Sequence, residues 1–200
     1  NIPIQNGIIT DSTRIDKILP TLKYLLKYDC KIISLTENMG KGFAMREGIK
    51  NANGYYTLFL GGDGQDDPKE ILSLYKKIKN GYDLVIGSRF LTAGVSEDRY
   101  TKKAVLPVNK LGNKALTKLI NFFFGKNITD SQAEFKIFRT DKLKSLKLTS
   151  NRFEIETELL IRSFKNKFNI TEIPVHRYER LYGKSKLFNI PFGRLLFGIR

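Results

Sequence analysis

Residues 55–68, YYTLFLGGDGQDDP, combine a strand pattern, a polar loop and a helix start. The first six residues are mostly aromatic or aliphatic and are followed by two glycines, which is typical of a buried strand that ends in a tight loop. Asp63, Gln65 and Asp66 follow this strand at once. Asp67 and Pro68 are a favourable N-cap and first residue of a helix. The stretch therefore predicts a strand, a polar loop at its carboxyl end and a helix.

The same order of elements recurs through the first hundred residues. The patterns predict strands at 7–10, 31–35, 55–60 and 83–87, separated by helices at about 15–26, 43–52 and 68–78. The third helix is predicted to turn five side chains inward, namely Ile71, Leu72, Leu74, Tyr75 and Ile78. Alternating strands and helices indicate a doubly wound parallel sheet, whose ligand site lies along the carboxyl ends of the strands.

The second half changes character. It predicts helices at 106–124 and 154–164, strands at 134–138 and 170–175, and a mobile loop at 91–101. Residues 122–124, three successive phenylalanines, fit either contact with lipid or burial in the core. Residues 187–200 place eight apolar residues among cations, which is typical of a helix that lies in a membrane surface. Packing of that helix on its own domain is the alternative.

Composition and charge exclude several classes of protein. No stretch reaches the roughly 18 apolar residues of a membrane-spanning helix, and the single Cys30 and single His176 exclude an internal disulfide and a His-rich zinc site. The chain has 35 lysines and arginines and 20 acidic residues. Residues 101–200 carry 21 of the basic residues and 8 of the acidic ones. An anionic partner is expected there, or else a codon bias toward lysine. Nucleic acid is disfavoured because no nucleic-acid motif accompanies the charge.

Seven motifs, in order and over essentially the whole chain, resemble those of family 2 glycosyltransferases. Within that family they are most similar to the dolichyl-phosphate and polyprenyl-phosphate sugar transferases. The motifs are DST (11–13), NMGKGFA (38–44), GGDGQDDP (61–68), GSR (87–89), TD with FK (129–130 and 135–136), IPV (173–175) and RLYGKSK (180–186). Any one of them is weak, but coincidence does not account for seven in this order.

The resemblance implies a GT-A fold, an α/β architecture in which helices flank a Rossmann-like, mostly parallel sheet. Residues 1–186 would form a single GT-A domain that lacks the family's N-terminal strand and helix, and 187–200 a C-terminal amphipathic, juxtamembrane segment. The implied reaction moves a hexose from GDP-mannose or UDP-glucose to a polyprenyl or dolichyl phosphate, with inversion and with Mg²⁺ or Mn²⁺ as cofactor. The expected location is the cytoplasmic side of an anionic membrane surface, either peripherally or through anchoring segments outside this chain.

The resemblance also assigns roles to individual residues. Asp63 and Gln65 would hold the metal, and Asp63, Arg89 and Arg180 would be catalytic. The implied donor site is Asp11, Gly62, Asp63, Gln65, Arg180 and Lys186. Arg89 and Ser185 would meet the acceptor phosphate.

Three departures from the family pattern keep alternatives open. Gly61 stands where the family has its first metal-binding aspartate, and Glu134 replaces a family glycine. The third is the expected lack of the family's N-terminal strand and helix. A catalytically degenerate relative that binds nucleotide or anionic lipid as a partner or scaffold is one alternative, which this lack together with Gly61 favours. A family 2 glycosyltransferase with a soluble acceptor is the other.

Several polar residues also have a purely structural interpretation. Arg89 could pair with a surface carboxylate, and Lys41 is expected in a pocket wall. Asp67 is expected to cap a helix and His176 to pack or cap. The three glutamates at 154, 156 and 158 are expected on a solvated helix face rather than as a catalytic base.

Overall fold

The computed structural model describes residues 7–10, 31–35, 37–62, 64–91 and 107–179. The elements in chain order are β1 (Gly7–Thr10), β2 (Lys31–Ser34), α1 (Lys41–Asn51), β3 (Tyr56–Phe59), a 3-10 turn (Pro68–Glu70), α2 (Ile71–Ile78), β4 (Leu84–Ser88), α3 (Pro107–Phe124), β5 (Lys136–Arg139), α4 (Thr140–Ser145), α5 (Ile155–Lys165) and β6 (Ile170–Pro174). Apart from α4, each element begins and ends within about two residues of the predicted bounds, if the 3-10 turn is counted with α2. Helix α4 is too short to show a helical period in the sequence.

Several predictions lie outside the described residues. These are the helix at about 15–26, most of the loop 91–101 and the amphipathic segment 187–200. The division of the chain at residue 186 therefore stays a prediction.

The strands form a parallel pair and a mixed sheet. β1 pairs with β2 in parallel, from Gly7 opposite Lys31 to Thr10 opposite Ser34. The four-stranded sheet has the order β3-β5-β4-β6, with β4 parallel to β6 and β5 antiparallel to both of its neighbours. The α/β class is confirmed. The larger sheet is mixed rather than mostly parallel, because β5 from the second half inserts between two strands of the first.

The core occupies both faces of the four-stranded sheet. Successive side chains of a strand point to opposite faces, so Leu84 and Ile86 join one buried cluster and Val85 joins the other. The same alternation places Phe138 in the first cluster and Ile137 in the second. Every residue of β4 is buried, as expected for a strand covered on both faces.

The start of α2 follows from its sequence. Asp67 is the N-cap of the 3-10 turn, with proline following it, and its Oδ1 accepts a hydrogen bond from the Lys69 backbone N–H at 2.9 Å. The prediction that Asp67 caps a helix is confirmed.

The inward face of α2 corrects one prediction. Four of the five side chains predicted to face inward belong to the second core cluster, namely Ile71, Leu74, Tyr75 and Ile78. Leu72 is 46% exposed, so its predicted inward position is wrong. The other four already complete the i, i+3, i+4, i+7 stripe of one helical face, and Leu72 lies to one side of it.

Helix α3 packs through one face. Leu116, Ile120 and Phe124 contact the first core cluster, and the Thr117 hydroxyl bonds that of Ser131 at 2.8 Å. The phenylalanines at 122 and 123 are exposed, so of the three successive phenylalanines only the last meets the core. Among the described helices, none has the length and apolar character needed to cross a bilayer.

We predict that Gly42→Ala destabilises the protein by about 1–3 kcal/mol through overpacking. A β-carbon at Gly42 would lie 2.5 Å from the Ser150 carbonyl oxygen and 2.9 Å from that of Arg152, and these are backbone atoms that cannot turn away. In an open helix the same change would stabilise by up to about 1 kcal/mol. Urea unfolding measures the sign.

Gly62→Ala is the matched control, because a β-carbon there meets nothing within 4 Å. Its free energy of unfolding should change by less than about 0.5 kcal/mol. If Gly42→Ala proved as stable as the control, the close docking of α1 on residues 150–152 would be contradicted.

Candidate functional site

The loop after β3 is held by residues that follow β6. Asp66 Oδ1 accepts a hydrogen bond from Arg177 Nη1 at 2.6 Å, and its Oδ2 accepts one from the Gly61 backbone N–H at 3.0 Å. Tyr178 N–H donates to the Gln65 carbonyl at 2.8 Å, and Gln65 Nε2 donates to the Tyr178 carbonyl at 3.1 Å. The polar loop is therefore fixed by a segment more than a hundred residues away in sequence.

The predicted metal ligands fall on this loop. Gln65 Oε1 accepts a hydrogen bond from Arg177 Nη2 at 3.1 Å, so Gln65 would have to release a guanidinium in order to bind a metal through that oxygen. Asp63 lies outside the described residues. Within the described part of the chain, no group of three or more His, Cys, Asp or Glu side chains could hold a metal ion.

Arg89, at the carboxyl end of β4, forms a two-point ion pair with Asp130. Its Nε and Nη2 donate to the two carboxylate oxygens of Asp130 at 2.7 and 2.8 Å, and its backbone N–H donates at 3.2 Å. Asp130 is 1% exposed. Burial alone would raise the pKa of Asp130, but the Arg89 guanidinium holds it below its ordinary value. The partner of Arg89 is thus a buried carboxylate rather than a surface one.

Neighbouring side chains hold Asp130 in place. Asn113 on α3 donates to Asp130 Oδ1 at 3.1 Å. The Glu172 carboxylate on β6 accepts the backbone N–H groups of Thr129 and Asp130 at 2.7 and 3.1 Å. Burial raises the pKa of Glu172. Helix α3 and strands β4 and β6 therefore converge on this ion pair.

A network of buried and half-buried charges joins the remaining motif loops. Lys41 Nζ contacts Glu134 Oε1 and lies 2.7 Å from Glu156 Oε1. Lys136 Nζ donates to Glu156 Oε2 at 2.6 Å, and Arg177 Nη2 lies 3.5 Å from Glu134 Oε2. We call these five side chains the ion network; Lys136, Glu156 and Arg177 are buried, and Lys41 and Glu134 are half-buried.

The network fixes the protonation states of its members. Burial would raise the pKa of Glu134, but Lys41 and Arg177 lower it to about 2. The pKa of Glu156 is likewise held below its ordinary value by Lys136 and Lys41 against the effect of burial. Burial would lower the pKa of Lys41, and the two glutamates raise it instead. These shifts favour the charged forms of Lys41, Glu134 and Glu156.

The expectation of a solvated glutamate face on α5 is wrong for two of the three side chains. Glu156 is 3% and Glu158 is 6% exposed. Glu158 accepts hydrogen bonds from the backbone N–H groups of Thr149 and Ser150 and from Arg162. Burial would raise the pKa of Glu158, but these bonds lower it to about 2. Each carboxylate is buried because it has partners in another segment.

His176 behaves as the sequence predicts. Its Nδ1 lies 2.7 Å from Glu70 Oε1, and its backbone N–H donates to the same carboxylate at 3.0 Å. The interaction joins the end of β6 to the start of α2.

Three of the predicted site residues are described. Gly62 is exposed in the loop after β3, Gln65 bonds Arg177, and Arg89 bonds Asp130. The others lie outside the described residues, namely Asp11, Asp63, Arg180, Ser185 and Lys186. Their roles stay predictions.

Sequence reasoning missed Arg177, which contacts Gln65, Asp66 and Glu134. The motif comparison directs attention to Arg180 instead. A basic residue next to the IPV motif was the available signal, but nothing in the sequence links it to Asp66.

Comparison with known proteins defines the class. The family described as "Glycosyl transferase family 2" matches residues 6–147, and this chain belongs to it. Over 163 residues the chain is 31% identical to the dolichol-phosphate mannosyltransferase of Pyrococcus furiosus, covering 80% of this chain and 44% of that protein. Over 175 residues it is 30% identical to the UDP-N-acetylglucosamine–dolichyl-phosphate N-acetylglucosaminyltransferase of Methanococcus voltae, covering 84% and 67%. The chain thus spans less than half of the Pyrococcus protein.

The fold agrees with that class. A crystal structure of glucosyl-3-phosphoglycerate synthase from Mycobacterium tuberculosis, in complex with Mn²⁺ and UDP-glucose, superposes with a TM-score of 0.63 at 16% identity. The similarity covers 92% of this chain and 74% of that one. The chain has the GT-A glycosyltransferase fold, and the predicted family is confirmed.

We predict that Glu134→Gln lowers stability at neutral pH by about 1–2 kcal/mol, because the pKa of Glu134 is about 2 against an ordinary 4.5. A carboxylate with a lowered pKa stabilises the fold above its ordinary pKa, and that contribution is lost as the pH falls toward 2. The difference between wild type and variant should therefore be constant above about pH 5 and shrink below it. Urea titrations across this range measure it.

Glu134→Asp is the matched control, since it retains a carboxylate and should keep the pH dependence of the wild type. A difference between Glu134→Gln and wild type that did not change with pH would contradict the ion pairs of Glu134.

Proposed function

We propose that this chain transfers a hexose from a nucleoside diphosphate sugar to a polyprenyl or dolichyl phosphate at a membrane surface, with inversion at the anomeric carbon. The observation that carries the proposal is the match to two relatives, each named for transfer to dolichol or dolichyl phosphate, over 80% and 84% of this chain. Their names give different sugars, so the sugar of this chain is left to experiment.

The proposed donor site lies at the loop after β3. A protein of similar fold supports it, since the mycobacterial synthase was crystallised with UDP-glucose and Mn²⁺. The bonds of Asp66 to Arg177 and to the Gly61 backbone N–H, together with those between Gln65 and Tyr178, give the loop a fixed course on both sides of Asp63. In this proposal Asp63 holds Mg²⁺ or Mn²⁺, which would neutralise the donor diphosphate. Asp11, Gly62, Arg180 and Lys186 contact the donor.

The acceptor chemistry requires no strong base. A phosphate monoester has a second pKa of about 6 and is already a dianion at neutral pH. One of its oxygens attacks the anomeric carbon, a new carbon–oxygen bond forms, and the bond from that carbon to the diphosphate oxygen breaks. The electron pair leaves with the nucleoside diphosphate. The carboxylates of Asp130 and Glu134 have lowered pKa values, which makes them weak bases and suits this reaction.

The remaining requirement is to bring two anions together. In this proposal Arg89 and Ser185 meet the acceptor phosphate, and Arg180 acts on the leaving diphosphate. The excess of cations in residues 101–200 favours anionic ligands in that half. Arg89 is oriented by Asp130 through two hydrogen bonds, so its guanidinium is held rigidly at the end of β4.

We predict that the chain binds one of GDP, UDP or their sugars in a Mn²⁺-dependent manner, and that Asp63→Ala weakens this binding at least about ten-fold, the effect of losing about 1.4 kcal/mol. Isothermal titration calorimetry with and without Mn²⁺ measures it. The control is Asp67→Ala, which removes a neighbouring carboxylate whose structural partners are the Lys69 backbone N–H and the Tyr178 hydroxyl. Its affinity should stay within about two-fold of wild type.

Binding of the nucleotide sugar that is equal in Asp63→Ala and wild type would remove Asp63 from the donor site. Absence of binding to every nucleotide tested would overturn the proposal and favour the degenerate relative that Gly61 first suggested.

A further inference from the structure

The outer face of α3 exposes large apolar side chains side by side. Leu111 is 71%, Phe122 82% and Phe123 70% exposed, and Leu119 is exposed beside them. The rings of Phe122 and Phe123 are 5.5 Å apart and nearly perpendicular. We call these four side chains the apolar strip. Scattered exposed leucines need no explanation, but a contiguous apolar surface with two phenylalanines marks an interaction site.

Helical geometry makes the strip continuous. With 3.6 residues per turn, positions 111, 119, 122 and 123 fall on one side of the helix. The opposite side carries Asn113, Thr117 and Ile120, which contact Asp130, Ser131 and the core. The apolar strip is therefore exposed because the opposite side of α3 is the one that packs against the domain.

The strip is bordered by positive charge. Lys114 and Lys118 are exposed and lie along one edge of it, one helical turn apart. From residue 107 to residue 129 the sequence contains lysines but no aspartate or glutamate. An apolar face beside uncompensated lysines is the composition of a helix that lies in the surface of an anionic bilayer.

We propose that the apolar strip inserts into the surface of an anionic lipid bilayer, while Lys114 and Lys118 contact lipid headgroups. A second copy of the chain is a poorer occupant, because two such faces would bring lysines against lysines. This membrane contact rests on the proposed function for its biological role, because an enzyme that uses a lipid-linked acceptor must reach that acceptor at a membrane. The inner side of the same helix holds Asp130 and through it Arg89.

The chain contains no tryptophan, which allows a site-specific probe. Phe123→Trp places a single tryptophan in the apolar strip, and Leu72→Trp places one on α2, at another exposed apolar position. Each variant of the full chain is titrated with vesicles of phosphatidylcholine containing about 30% phosphatidylglycerol. Neither nucleotide sugar nor dolichyl phosphate is present, so the result does not depend on catalysis.

We expect the emission of Phe123→Trp to move to shorter wavelength with these vesicles and to be quenched by brominated lipid, while that of Leu72→Trp is unchanged. In co-sedimentation, Phe122→Ser with Phe123→Ser should lower vesicle partitioning at least about ten-fold, and Lys114→Glu with Lys118→Glu should remove its salt dependence.

Unchanged emission of Phe123→Trp while the protein still sediments with vesicles would overturn the proposal and assign membrane binding to another surface. A concentration-dependent shift without vesicles would also overturn it, because the strip would then be covered by a second copy. In a separate assay that supplies nucleotide sugar and dolichyl phosphate, absence of sugar transfer by a chain that shows the emission shift would count against the proposed function alone.

Discussion

The loops of the candidate site are held in place because buried charges must be paired. A buried lysine or glutamate without a partner costs several kcal/mol, and here each side chain in the network partners one from a different segment. Lys41 at the start of α1 and Lys136 on β5 share Glu156 of α5. Glu134 contacts Arg177, and Arg177 in turn donates a hydrogen bond to Asp66 in the loop after β3. The loops at the ends of the strands are therefore fixed by electrostatics as much as by the apolar core.

The elements were predictable because their signals are local. Strand and helix periods, and Asp67 with Pro68 at a helix start, all lie within a few residues of one another. The partners in the site do not. Asp66 and Arg177 are 111 residues apart, and Glu156 looks solvated on its helix because its partner Lys136 lies 20 residues earlier, on a strand. The antiparallel insertion of β5 was missed for the same reason, since strand order is a tertiary property.

Glu134 illustrates what a departure from a family pattern does physically. A carboxylate where the family has glycine adds a negative charge between Lys41 and Arg177, so that these cations are paired with Glu134 as well as with Glu156 and Asp66. In the proposed reaction, cations that attract the two anionic substrates must then come from other positions. Arg180 and Lys186 fit that need by sequence, and the lysines of α3 add positive charge on the outer face of the same domain.

Transfer of a sugar to a lipid phosphate is the activity that most needs a direct measurement. The direct measurement incubates the purified chain with labelled GDP-mannose, UDP-glucose or UDP-N-acetylglucosamine, Mn²⁺ and vesicles that contain dolichyl phosphate, and follows label into the organic phase. Label from one donor should become organic-extractable only when dolichyl phosphate is present. Label that reaches only a water-soluble acceptor, such as phosphoglycerate, would contradict transfer to a lipid phosphate. So would a chain that binds the donor but transfers its label to no acceptor.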